Sequence, residues 1–222
     1  MPGDRTRARE LAAEFIRRGD PTGWFEALYK EGEEGKSVVP WADGQKNPHL
    51  AEFWRAHPQK TGGKSALVIG CGLGDDAQQL AEWGYQTTAF DISETAIRTA
   101  KNRFPKTTVE YRVANLLQPP AEWTHSFDFV LEVYTLQALP PTVRSQATQN
   151  VAAFVRPGGN LLILARGREP QEPEGQLPWP LTRAELADFG LAGLTEQIFE
   201  EYFDNEVPPA RRYRVLYSRP AR

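Results

Sequence analysis

Three glycines on alternate positions, Gly70, Gly72 and Gly74, follow the apolar run 66–69. A second strand-like stretch, 86–90, ends in the carboxylate of Asp91. Glycines so placed let the main chain turn tightly and offer its N–H groups to a ligand at short range. An acid at the end of the next strand sits where the two hydroxyls of a ribose can be bound. Together these residues could hold a nucleoside. The elements that must position them can be read from the same stretch. Residues 66–69 are too few for a helix and are bounded by glycine, as expected of a strand buried on both faces. Residues 75–83 carry Ala77, Leu80 and Ala81 on one helical face, and Gly84 supplies a left-handed stop. The layout is strand, glycine turn, helix, strand, acid. Its plainer reading is a βαβ unit that uses glycine for packing alone.

The spacing bears on the ligand. In a dinucleotide fingerprint the third glycine makes room for pyrophosphate at the helix start. Here it comes one residue early, and Asp75 and Asp76 open the helix, where they would repel phosphate and favour a cationic ligand. S-adenosylmethionine, an adenosine carrying a sulfonium and an ammonium, meets that description. The whole stretch resembles the binding motif of class I S-adenosylmethionine-dependent methyltransferases, and the resemblance covers roughly residues 65–218. It implies an α/β fold with a Rossmann-like, seven-stranded, mostly parallel sheet, helices on both faces and an antiparallel last strand. It implies cofactor contacts from Gly70, Cys71, Gly72, Gly74, Asp91, Ile92, Asn115, Leu116 and Glu132, with Asn115 standing where aspartate is commoner and accepting from the adenine amino group. The plainer reading of Asn115 is a turn asparagine.

Composition narrows the function. The chain has 222 residues, enough for one sizeable core, and a net charge of −3, which argues against a nucleic-acid partner held through its phosphates. A single cysteine, Cys71, allows no internal disulfide and no cysteine metal cluster, and His49, His57 and His125 lack metal-ligand spacing, so no metal is expected. The charged N-terminus lacks the apolar core of a signal peptide, and no run reaches membrane-spanning length, so a cytoplasmic protein without a membrane partner is expected, as monomer or weak homodimer.

The first 60 residues read as a helical cap and residues 61–222 as the cofactor-binding domain. Helical spacing covers 4–18 and 22–30, a mobile loop is expected at 31–37, and Asn47-Pro48 begins a third helix. Trp24 and Trp41 flank that loop, and both are expected to close over the cofactor as a lid that excludes water. The same arrangement resembles the thiopurine and tellurite-resistance methyltransferases in its general pattern. The plainer reading is an ordinary packed cap. Ser93 caps the helix after Asp91, residues 156–159 read as a turn, and Thr182 with Glu185 forms a capping box. Glu132 and Tyr134, at the carboxyl end of the fourth strand, are the catalytic candidates, although Tyr134 also suits a core position. The Asn/Asp-Pro-Pro-aromatic motif of base and glutamine amine methylation is absent there. No histidine is placed as a general base. The expected acceptor is therefore a small molecule needing little help to ionise, a thiol or other soft nucleophile. The alternatives are an O- or N-methyltransferase of secondary metabolism and a non-catalytic cofactor-binding protein.

Overall fold

Ala66 to Ile69 are buried to the last atom or nearly so in strand β1 (Ser65–Ile69), the middle of the molecule. The computed structural model describes residues 4–221. Around β1 lie β2 (Gln86–Asp91), β3 (Glu110–Val113), β4 (Phe127–Val133), β5 (Val155–Arg166), β6 (Thr195–Phe203) and β7 (Arg211–Ser218). They form one seven-stranded sheet in the order β3-β2-β1-β4-β5-β7-β6. The first five are parallel, and β7 runs antiparallel to both β5 and β6. The order reverses between β1 and β4, where Ile69 faces Glu132 in register. In open α/β sheets that switch point leaves a crevice at the carboxyl ends of the strands, and ligands bind there.

Helices α3 (Pro48–Ala56), α4 (Asp75–Glu82) and α5 (Glu94–Arg103) cover one face, burying Leu50, Phe53, Leu80 and Ile97 against Val68, Leu131 and Leu164. Helices α6 (Pro141–Phe154) and α7 (Arg183–Leu191) cover the other, with Val151, Leu186 and Phe189 against Leu67, Val130 and Ile163. A third cluster joins α1 (Thr6–Arg17) and α2 (Gly23–Glu33) through Ala8, Leu11, Ala12, Trp24 and Leu28. The expected starts are present: Asn47 accepts from the His49 N–H, Ser93 from the Ala96 N–H, and Thr182 and Glu185 cap each other. No helix among the described residues is long and apolar enough to cross a membrane.

Two local expectations are corrected. Residues 31–33 continue α2 instead of starting a loop, because Glu31 is held by Arg7 and Gly32 lets Val39 pack tightly, 2.9 Å from where a Cβ would stand. Residues 156–159 are a bulge within β5: Val155 pairs with Phe127 and Asn160 with Phe129, and Gly158 takes φ +75° to let the extra residues loop out.

Candidate functional site

The glycine turn leaves β1 with Gly70, Gly72 and Gly74 all at positive φ, +57°, +52° and +90°. A side chain on Gly70 would run into Thr135, one on Gly74 into Tyr111, and one on Gly72 would meet the Tyr29 hydroxyl at 2.9 Å. Asp91, buried at the end of β2, fastens the turn: Oδ2 accepts from the Gly72 N–H and Oδ1 from the Ser93 N–H, each at 2.9 Å. Burial pushes its carboxyl up, and those hydrogen bonds restrain the rise. Each oxygen has a further lone pair, the number a ribose diol requires. Cys71 is half-buried in the turn, and burial with Asp91 alongside pushes its thiol up. Ile92, next to Asp91, is half-buried.

Asp75 and Asp76 do not present their charge to a ligand, as their place at the helix start led one to expect. Asp75 is clamped by Arg103 at 2.7 and 2.8 Å, and the same guanidinium donates to the Leu73 carbonyl at 2.7 Å, bracing the turn. Asp76 accepts from the Asn47 N–H at 2.8 Å, and burial pushes its carboxyl up to about 6. Neither partner is visible locally: Arg103 comes from the far end of α5, and Asn47 from the cap.

Helix α2 roofs the crevice. Glu26 anchors it to the start of α5, accepting from the Ser93 hydroxyl (2.6 Å), the Thr95 hydroxyl (3.0 Å) and the Thr95 N–H (3.1 Å). Trp24 is fully buried inside the cap, stacked on Phe25 at 3.8 Å, and its indole N–H finds no acceptor among the described residues. Trp41 is 40% exposed, packs edge-on against Trp24, Phe25 and Tyr29, and donates its indole N–H to the Tyr29 hydroxyl at 2.9 Å. Tyr29 is thus the roof residue that reaches the glycine turn. It reads in the sequence only as one more aromatic on a helix face.

At the carboxyl end of β4, Glu132 is wholly buried. Its Oε1 accepts from the Thr135 and Leu136 N–H groups at 2.6 and 2.9 Å, while Oε2 has no partner among the described residues. Burial pushes this carboxyl up to about 7 against the pull of the two N–H groups. Thr135 in turn donates its hydroxyl to the Ile69 carbonyl and fills the space beside Gly70. Tyr134 is half-buried and holds φ +61°, a left-handed backbone that a bulky residue adopts only where its surroundings impose it. On the β3 side, Asn115 accepts from the Leu117 N–H at 2.8 Å in an Asx turn, and Leu116 is buried with its carbonyl held by Asn150. The structure therefore brings Gly70, Cys71, Gly72, Gly74, Asp91, Ile92, Glu132 and Tyr134 to one crevice with Tyr29 above. Trp24 lies inside the cap, and Trp41 packs beside it and on Tyr29.

These residues fit S-adenosylmethionine. The glycine turn holds a left-handed backbone that side chains rarely adopt, and the Asp91 carboxylate at the end of β2 lies directly against it.

Known proteins agree. Residues 66–159 match the family described as a methyltransferase domain. The chain is 26% identical over 199 residues to a 2-heptyl-1-hydroxyquinolin-4(1H)-one methyltransferase of Mycobacteroides abscessus, covering 85% of this chain and 80% of that protein. It is 26% identical over 159 residues to a probable thiol methyltransferase of Arabidopsis thaliana, covering 71% and 67%. In fold it is similar to the Burkholderia thailandensis 1,6-didemethyltoxoflavin-N1-methyltransferase, crystallised with its substrate and S-adenosylhomocysteine, at a TM-score of 0.68 and 18% identity over 96% of this chain and 90% of that one.

Proposed function

For this chain, an S-adenosylmethionine-dependent methyltransferase, we propose a small-molecule acceptor that presents a soft nucleophile, a thiol foremost. The observation that carries this reading is the state of Glu132. The acidic side chain at the carboxyl end of β4 is turned inward as a cap for Thr135 and Leu136, not outward as a general base. His57 is engaged with Glu200 at 2.9 Å, and burial with Arg212 nearby pushes His49 down. A thiol, with a pKa of about 8.5, ionises near neutral pH without a strong base, whereas a phenol at about 10 needs more help. The thiol named for the Arabidopsis relative supports the same choice.

Each part of the site then has a task. The glycine turn and Asp91 bind the nucleoside, and Tyr29 with Trp41 keeps water from the crevice. Thr135, fixed by Glu132 and Ile69, sets the floor beside Gly70. The glycine turn and Asp91 would hold S-adenosylmethionine, which would supply an electrophilic methyl to the acceptor sulfur, its own sulfur keeping the electron pair as S-adenosylhomocysteine leaves and the thiol proton passing to solvent. O-methylation is the second reading, favoured by the unpartnered Glu132 Oε2 and by the hydroxyl-bearing substrate named for the Mycobacteroides relative.

An acceptor screen separates them. S-adenosylhomocysteine release is followed with thiols, phenols, N-hydroxy heteroaromatics and amines side by side from pH 6.5 to 9. Thiols are expected to react fastest, with rates rising as the thiol ionises. Turnover of hydroxyl compounds alone would replace the thiol reading with the second.

A further inference from the structure

Two side chains from remote elements meet at Gly72. From the end of β2, Asp91 Oδ2 accepts the Gly72 N–H at 2.9 Å. From α2, the Tyr29 hydroxyl stands 2.9 Å from where a Cβ of residue 72 would be. Phenol and carboxylate therefore flank one residue of the glycine turn. The phenol is held in place: Tyr29 is 4% exposed, and its oxygen accepts the Trp41 indole N–H at 2.9 Å. That bond takes a lone pair and leaves the O–H to point elsewhere. Among the described residues no acceptor takes this proton. Burial, followed by the charge of Asp91, pushes the phenol well above its usual value, so it keeps the proton at neutral pH and remains a donor. A buried proton without an acceptor is unfavourable by itself.

A ribose diol at Asp91 needs such a donor. An ionised carboxylate only accepts, so each sugar hydroxyl would give it a proton and keep lone pairs of its own. The donors nearest Asp91 are already committed. The Gly72 and Ser93 N–H groups are spent on Asp91 itself. The Cys71 N–H goes to the Phe90 carbonyl at 2.8 Å, and the Gly74 N–H to the Cys71 carbonyl at 2.9 Å. The Ser93 hydroxyl donates to Glu26 at 2.6 Å. The Tyr29 proton, against the same glycine, is unspent.

We propose that the Tyr29 hydroxyl donates to a ribose hydroxyl of S-adenosylmethionine whose own proton Asp91 accepts. Helix α2 and strand β2 then read the sugar together, one as donor and the other as acceptor. Trp41 is the positioning residue that holds the phenol to this task. A neutral sugar oxygen suits the place better than the methionine carboxylate, which Asp91 on the other side of Gly72 would repel. A nucleoside lacking that hydroxyl would leave phenol and carboxylate both unpaired, and sites built to bond a hydroxyl discriminate strongly against its loss. The contact lies on the methyl donor and is independent of the acceptor.

Calorimetry with S-adenosylhomocysteine and its 2′-deoxy and 3′-deoxy analogues tests this with no acceptor present. Tyr29→Phe, which removes only the oxygen, should weaken S-adenosylhomocysteine binding about tenfold. With at least one deoxy analogue the wild type and the variant should bind alike, because the hydroxyl that Tyr29 serves is gone. That equality also shows the variant to be folded. Trp41→Phe keeps a ring against Tyr29 and removes the N–H that orients it. It should show the same dependence on the analogue with a smaller loss, about threefold. A tenfold loss in Tyr29→Phe that persists with both deoxy analogues would put the phenol elsewhere on the ligand and overturn the proposal. Unchanged affinity of Tyr29→Phe for S-adenosylhomocysteine would overturn it too. Should Tyr29→Phe fail to fold, Trp41→Phe carries the comparison: a loss confined to ligands that keep the hydroxyl supports the contact, and an equal loss on all the ligands, or none, overturns it.

Discussion

Replacing Glu132 by glutamine tests whether the crevice floor is as dry as its geometry implies. The substitution keeps an oxygen for the Thr135 and Leu136 N–H groups and removes only the ability to ionise. Burial lifts the Glu132 carboxyl from 4.5 to about 7. At 1.36 kcal/mol per pH unit, ionising it inside the fold costs about 3 kcal/mol more than in the unfolded chain. The sign follows from the raised value. Between pH 4.5 and 7 the folded chain keeps a proton that the unfolded chain has released, so stability falls as pH rises. The contribution is complete below 4.5 and lost as pH passes through 7. Asp76, also raised, titrates in both proteins and cancels in the difference. Urea unfolding of wild type and Glu132→Gln at half-unit steps from pH 5 to 8.5 reads that difference. The wild type should lose about 2–3 kcal/mol relative to the variant across this range. Parallel curves would show that Glu132 does not titrate there, and the account of it as a desolvated cap would be wrong.

Two further outcomes are expected. Asp91→Ala should weaken S-adenosylhomocysteine binding at least about tenfold by calorimetry, since it removes the charge-assisted acceptors for the ribose and releases the Gly72 N–H; unchanged affinity in a folded variant would remove Asp91 from the site. Trp41→Ala should cost about 1 kcal/mol of stability instead of the roughly 3–5 of a fully buried aromatic, because the ring is 40% exposed and held by one hydrogen bond. Hydrogen exchange across residues 34–44 should slow when S-adenosylhomocysteine binds to the wild type and slow less in the variant. A larger loss of stability, with no ligand effect on exchange, would make Trp41 a permanent core residue.

Local chemistry made much of this protein legible in its sequence. Strand β1 follows from four apolar residues bounded by glycine, and the helix starts at Asn47, Ser93 and Thr182 from side chains that cap within three residues. The glycine turn and Asp91 follow from backbone sterics and from the period of a βαβ unit. These features depend on neighbours a few positions away, so composition and spacing specify them. What a charge or an aromatic does depends on the partner it meets, and here the partners are remote. Asp75 and Asp76 look like a ligand-facing pair until Arg103 and Asn47 arrive from elsewhere in the chain. Tyr29 is one aromatic among several until α2 docks and puts its hydroxyl beside Gly72. Glu132 stands at the end of a strand in the sequence, and only complete burial turns it from a candidate base into a cap. Arg166 and Arg212 are far apart in the chain, and β7, inserted antiparallel beside β5, sets them opposite in register, where both hold Glu206. Electrostatic energy depends on separation in space and on the water left between groups, and both were decided by the packing of the sheet and its cap.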